Sequence, residues 1–261
     1  MKHLVIIGLV IPEPASTAAG HRMMQLIQLF SKADFKITFL TASNNIEFSE
    51  KIDIQKIEIN NESFDAKIRN LNPDVVLFDR YVTEEQFGWR VSENCPNALK
   101  IIDTEDLHFL REARRKAFFE KRIVRKEDLI NDIFVREIAA ILRCDLSLII
   151  SEFEYDLLVN EFKINPDLLF YIPFLTEKIE ESKTPFEDRK HFVSIGNFLH
   201  EPNWQTVLKL KQIWKLIKKR IPETELHIYG AYTSQKVLEL HNEKDGFLVK
   251  GRANSVEKIF N

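Results

Sequence analysis

Short, uninterrupted apolar runs recur along this chain, separated by longer stretches of helical period. Residues 4–10 read LVIIGLV, 37–40 ITFL, 74–78 DVVLF, 99–102 LKII, 146–150 LSLII and 168–173 LLFYIP. A further strand is expected near 52–59. A strand that is apolar on both sides must be covered on both faces, which is the condition of a parallel sheet between two helix layers. The intervening stretches supply those helices. Met23, Leu26, Ile27, Leu29 and Phe30 repeat at helical spacing, and 62–71 is a helix that ends at Asn72-Pro73. Residues 83–93 and 152–162 are helical, and the long charged stretch over 107–143 forms one or two helices. Such alternation of strand and helix selects an α/β, doubly wound fold. Ligands of these folds bind beyond the carboxyl ends of the strands.

Residues 175–190 (LTEKIEESKTPFEDRK) carry mostly charge and no apolar period, as a linker does. The alternation then restarts with a strand at 191–195, followed by Gly196. Val207, Leu210, Ile213, Trp214 and Ile217 share one helical face. Residues 226–229 form a strand ending at Gly230, 233–241 a helix, 246–249 a short strand, and a helix begins near Ser255. The expected organisation is a Rossmann-like domain over 1–175, a linker over 176–190, and a second Rossmann-like domain over 191–261. Three strands fall short of a complete doubly wound half, so the second domain is expected to be incomplete.

Composition narrows the function. Hydrophobic residues make up 44% and charged residues 30%, the balance of a globular protein. The formal net charge of -3, with the two signs interspersed, gives no reason to expect nucleic acid as a partner. Cys95 and Cys144 are far apart and lack metal-type spacing, which fits a reducing compartment. The N-terminal apolar run is short, has no small-residue cleavage site and meets Pro12 and Pro14, so it reads as a buried strand rather than a signal peptide. No apolar run approaches the ~20 residues needed to cross a bilayer. A cytoplasmic protein is expected. The Lys- and Arg-rich stretch from Arg111 to Lys126 reads first as a solvated helix face, with contact to an acidic membrane surface as its alternative.

Four segments could carry chemistry. In the loop after the first strand, Ser16 or Thr17 can cap the next helix, whose free N–H groups and positive dipole end suit a diphosphate. Gly20 would allow close approach of backbone or ligand. Arg22, disfavoured by the dipole at a helix start, needs a reason such as contact with an anion; its plain alternative is a solvated surface residue. Asp103-Thr104-Glu105-Asp106-Leu107-His108 follows a strand, and its carboxylates and histidine could exchange protons or hold sugar hydroxyls. The plainer reading is that Asp103 and Asp106 cap a helix. Gly196-Asn197 through Asn203 forms a second strand–turn–helix anion site, with Asn203 as the candidate cap. Arg252, in Lys250-Gly251-Arg252, could neutralise phosphate. His3, His191, His227 and His241 lie in or beside regular elements and read as structural.

The stretch IGNFLHEPNWQTVLKLKQIWKLIKKRIPETELHIYGA resembles the start of the C-terminal domain of family 4 glycosyltransferases: apolar strand, Gly196, Pro202-Asn203, amphipathic helix, Pro222, apolar strand, Gly230. DTEDLHFLREAR and GHRMMQLIQLFSKADFKITFLT are similar to segments of that family's N-terminal domain. The resemblance implies the GT-B fold, two Rossmann-like domains facing each other across a cleft. It implies transfer of a sugar from a nucleotide diphosphate sugar to a glycan, lipid or other cell-surface acceptor, usually with retention, and with no essential metal or further cofactor. By that analogy His108 stands near the transferred sugar and Gly20 in the loop facing the donor diphosphate. The residues themselves add Asp106 beside His108, and Arg22, Gly196, Asn197, Asn203 and Arg252 for the diphosphate. Two departures matter. The first C-domain loop carries Phe198, His200 and Asn203 where many members have Arg and Lys. The family's paired glutamates, eight positions apart, fall downstream of Asn261, so poor transfer by these 261 residues alone is expected. The rival expectation is a non-catalytic binding or scaffolding protein on the same fold. A Rossmann oxidoreductase is disfavoured by the missing G-x-G-x-x-G.

Overall fold

A computed structural model describes residues 1–14, 16–44, 52–175, 185–253 and 259. The chain divides into two compact units, Met1–Leu175 and Thr176–Asn261. Each has an all-parallel sheet of its own.

Among the described residues the first unit has seven strands: β1 (His3–Gly8), β2 (Lys36–Thr41), β3 (Asp53–Lys56), β4 (Val75–Asp79), β5 (Leu99–Asp103), β6 (Leu146–Ile149) and β7 (Leu169–Tyr171). Their order in the sheet is β3-β2-β1-β4-β5-β6-β7. The direction of winding reverses between β1 and β4, which is the topological switch point where doubly wound sheets open a crevice. The α-helices among the described residues of this unit are α1 (Ala18–Lys32), α2 (Ser63–Leu71), α3 (Tyr81–Asn94), α4 (His108–Phe119), α5 (Lys126–Leu129), α6 (Asp132–Arg143) and α7 (Glu152–Asp156). The strands β1 and β4 are buried on both sides, as inferred, whereas Leu99 of β5 and Phe170 and Tyr171 of β7 stay exposed. Val5 and Ile7 of β1 pack with Phe64, Ile68, Phe87 and Val91 of α2 and α3. Leu4 and Ile6 point to the other face, against Met23, Met24, Leu26 and Ile27 of α1. The alternation of a strand's side chains thus serves two cores.

The charged stretch expected as one or two helices over 107–143 contains three. Lys121 takes a left-handed φ of 54° just past α4, and Asn131 caps α6 by accepting from Phe134 N at 3.1 Å. The expected helix 152–162 keeps α-geometry only through Asp156 and widens into a π-turn over Leu157–Glu161.

The second unit has β8 (Phe192–Ile195), α8 (Glu201–Arg220), β9 (Leu226–Tyr229), α9 (Gln235–Leu238) and β10 (Phe247–Gly251), with sheet order β10-β9-β8. Its core joins Val207 and Trp214 of α8 to Leu226, Ile228, Val237, Phe247 and Val249. The Trp214 indole N–H donates to the Asp245 carbonyl at 2.7 Å, so a large buried ring keeps its polar handle satisfied. Phe192 and Ile195 of β8 stay exposed. Residues 176–184 of the expected linker, and most of the helix expected near Ser255, lie outside the described residues.

Candidate functional site

At the carboxyl ends of β4 and β5 the first unit gathers an unusual density of charge. Parallel register sets Asp79 beside Asp103. Asp103 is fully buried, and Arg22 comes from α1 to meet it. The Arg22 Nε lies 2.9 and 3.0 Å from the two carboxylate oxygens, and Nη1 donates to the Ile172 carbonyl at 2.8 Å. The sequence placed Arg22 against an anion; the anion the fold supplies is internal. With 2% of its surface exposed, this guanidinium ties α1, β5 and the segment after β7 together.

Beside this pair, Arg80 and Glu105 both hold left-handed backbone, with φ of 70° and 61°. Neither is glycine, and such conformations persist only where surrounding structure over-determines them. Here the constraint is an ion-pair network. Arg80 Nε lies 3.1 Å from Asp79 Oδ1 and 3.2 Å from Glu105 Oε2. Burial, with Asp79 close by, pushes the Glu105 carboxyl up to about 8. Asp79 and Arg80 were not singled out from the sequence. Their signal was the polar end of an apolar run, VVLFDR, adjacent to the strand that ends at Asp103.

His108 opens α4. Its Nε2 lies 3.4 Å from Asp106 Oδ1, and its ring meets the Tyr81 ring edge-on at 5.3 Å. Asp106 also accepts from Arg111 Nη1 at 2.9 Å. The structure therefore brings His108 and Asp106 together. The capping expected of Asp103 and Asp106 is instead performed from a distance. Glu137 of α6 accepts from the N–H groups of His108 and Phe109 at 3.2 and 3.1 Å, and Glu154 of α7 accepts from Leu107 at 3.3 Å. Two glutamate side chains accept from the first N–H groups of α4 and so occupy the place an external anion would take. Burial pushes Glu137 up to about 8 and raises Glu154 as well, while the amide donors oppose it.

In the loop after β1, Thr17 caps α1 by accepting from Gly20 N at 2.9 Å. A side chain at Gly20 would collide with the backbone of Glu13, so chain packing demands glycine there.

The second unit offers a different arrangement at the carboxyl ends of its strands. β8 runs into Gly196, β9 into Gly230, and β10 ends at Gly251. A Cβ at Gly230 would overlap the Gly196 carbonyl oxygen and the Phe198 ring, so this edge holds backbone in close approach. α8 begins after His200 with Pro202 in its first turn and receives no side-chain cap. The expected cap, Asn203, lies inside the helix and donates from Nδ2 to the Asn197 carbonyl at 2.9 Å. Asn197 Oδ1 accepts from Leu199 N at 2.9 Å, which closes the turn. Asn197 and Asn203 are thus brought together with Gly196. Arg252 is exposed just past β10. Glu201 in the first turn of α8 is the opposing charge, and it accepts from Gln205.

The chain matches no described protein family and no curated protein by sequence. Solved structures it resembles include TarM, with TM-score 0.71, 10% identity, and coverage of 99% of this chain and 78% of that one. Sucrose-phosphate synthase from Thermosynechococcus elongatus gives 0.67 at 15% identity, with 97% and 71% covered. UDP-GlcNAc 2-epimerase from Methanocaldococcus jannaschii gives 0.55 at 13% identity, with 99% and 75% covered. At such identities the likeness speaks of architecture, and together with the two parallel sheets it establishes that this chain has the GT-B fold, with an incomplete second domain.

Proposed function

We propose that the chain is a sugar-nucleotide-dependent glycosyltransferase whose donor diphosphate is received at the carboxyl ends of β8, β9 and β10. The observation that carries this reading is the strand edge of the second unit, where β8, β9 and β10 all run into glycine and the Gly196 and Gly230 backbones approach closely, with the 20-residue helix α8 opening from that edge without a side-chain cap. The positive dipole end of α8, with Asn197, Asn203 and Arg252 nearby, would stabilise the charge that builds on a departing diphosphate. In the first unit, His108 and Asp106 would orient the sugar or the acceptor hydroxyl, and Gly20 would keep the neighbouring loop close. Arg22 acts as a positioning residue through Asp103. The acceptor would be a glycan or lipid-linked cell-surface molecule and the transfer would retain configuration, with no cofactor beyond the donor.

Among the described residues no helix is long and apolar enough to cross a membrane. Phe118, Phe119 and Ile123 are nonetheless exposed at 58%, 53% and 83%, among Arg114, Arg115, Lys121, Arg122 and Lys126. Arg115, Arg122 and Lys126 are already paired with Glu112, Glu120, Asp128 and Glu161, so the support for peripheral contact with an anionic leaflet comes from the exposed apolar side chains and the remaining cations, Arg114 and Lys121.

Thermal unfolding in the presence of UDP, GDP and their sugars tests the proposal. A ligand at a hundred times its Kd adds about 2.7 kcal/mol to the native state, which moves the transition visibly. One nucleotide is expected to do so. If none shifts the transition of the wild-type chain at millimolar concentration, the proposal fails. Because an epimerase shares the fold, the sugar product from any bound donor should then be analysed, to separate transfer from isomerisation.

A further inference from the structure

The second sheet places two imidazoles and a carboxylate together at the end opposite to the glycine edge. β8 and β9 pair in parallel, with Phe192 beside Leu226 and Val193 beside His227. That register sets His191 beside Glu225. It also sends His191, Glu225 and His227 to the same side of the sheet, because side chains alternate along a strand. Leu226 and Ile228 take the opposite side, in the core.

We propose that His191, Glu225 and His227 form a binding site for a divalent transition-metal cation of the Zn2+ type. One ligand atom from each lies within 4.8 Å of the others. Glu225 Oε2 is 2.8 Å from His227 Nε2 and 3.9 Å from His191 Nδ1. A tetrahedral Zn2+ with bonds of about 2.0–2.1 Å separates its ligand atoms by about 3.4 Å, so the observed spacings bracket the required one. The two imidazole rings stack at 5.0 Å and 24°. Two neutral imidazoles and one carboxylate suit Zn2+, Ni2+ or Cu2+ better than Mg2+ or Ca2+, which prefer oxygen. His191 and Glu225 are each more than a third exposed, which leaves an entry path and a coordination position for water.

Two features weaken the site relative to a closed four-ligand centre. The Glu225 N–H donates to His191 Nδ1 at 3.2 Å, an interaction that the ring must give up or keep while binding through its other nitrogen. Lys250 of β10 also lies close enough to act on the Glu225 carboxylate. The simpler alternative is a Glu225–His227 ion pair with no metal function.

The test is calorimetric titration of the chelator-stripped full chain with Zn2+ alone. One saturating equivalent is expected. His191→Ala, His227→Ala and Glu225→Gln are each expected to weaken it at least about tenfold, the loss already seen when outer-shell partners of metal ligands are removed. His21→Ala is expected to leave it unchanged. Circular dichroism of each variant separates loss of ligand from loss of fold, and Co2+ loading adds visible absorption whose intensity separates a four-coordinate protein site from hydrated Co2+. Absence of saturable Zn2+ binding by the wild-type chain overturns the proposal. So does binding that the three substitutions leave unaltered, in which case the ion pair alone accounts for the cluster.

Discussion

Replacing Asp103 by Asn leaves the Arg22 guanidinium buried without its counter-charge. The structure sets the size of the effect. Arg22 and Asp103 are 2% and 0% exposed, and the nearest guanidinium and carboxylate atoms lie 2.9–3.0 Å apart. The carbonyls of Ile172 and Pro173, at 2.8 and 3.5 Å, would remain but carry only partial charge. Removing one member of a buried pair costs about 3–5 kcal/mol. Domains of this size lose roughly 2–4 °C in Tm per kcal/mol, so the transition of the first unit should fall by roughly 6–20 °C. Calorimetry or urea unfolding measures this directly. The paired substitution Arg22→Met with Asp103→Leu removes both charges and should regain most of the loss, because desolvation then opposes nothing. A cost under about 1 kcal/mol for Asp103→Asn, or single losses that simply add in the double variant, would refute the assignment of this pair as the clamp between α1 and β5.

Glu137→Gln should flatten the pH dependence of stability. The Glu137 carboxyl is raised from 4.5 to about 8 in the native state, so the folded chain keeps a proton that the unfolded chain has released, and stability falls as pH rises between those values. Between pH 5 and 7 this one group accounts for about 2–3 kcal/mol of decline, and urea midpoints of the two proteins running parallel across that range would contradict it. Gly230→Ala should destabilise the second unit by about 1–3 kcal/mol, since the added methyl meets a carbonyl oxygen and the Phe198 ring; unchanged thermal unfolding would show that this edge yields freely. Arg252→Ala should weaken nucleotide diphosphate binding about fivefold or more without altering stability, a loss of about 1 kcal/mol or more for an exposed charge–phosphate contact, read by calorimetric titration. Equal affinity in both proteins would exclude Arg252 from the donor site.

Much of the architecture was readable because burial on two faces leaves an unmistakable pattern. LVIIGLV and DVVLF can be satisfied only between two layers, and Asn72-Pro73 announces the end of α2, where Asn72 takes a left-handed φ of 40°. The break after α4 was not readable. Lys121 adopts the conformation that glycine usually supplies, and 107–143 contains neither Gly nor Pro. The site was legible where neighbours in sequence are neighbours in space, as with Asp106 and His108. It was obscure where partners arrive from afar. Glu137 and Glu154 cap a helix that begins 29 residues before one of them, and Arg22 reaches Asp103 across 81 positions. His191 and Glu225 meet only because two parallel strands share a register, which no local window of sequence reveals.

The strand order of the first sheet also governs how the chain can be assembled during synthesis. β1 lies inside the sheet, between β2 and β4, yet the residue that receives the His3 amide proton, Asp74, is made 71 positions later. Until then β1 has β2 on one side and an open row of peptide groups on the other, flanked by Leu4, Val5, Ile6 and Ile7. Pairings of such long range are slow to close, and unpaired apolar edges invite contact with other nascent chains. The second sheet adds its strands in sequential order, each beside the one made just before it. Ribosome-bound intermediates ending before Val75 should therefore depend on holdase chaperones far more than those that end after it.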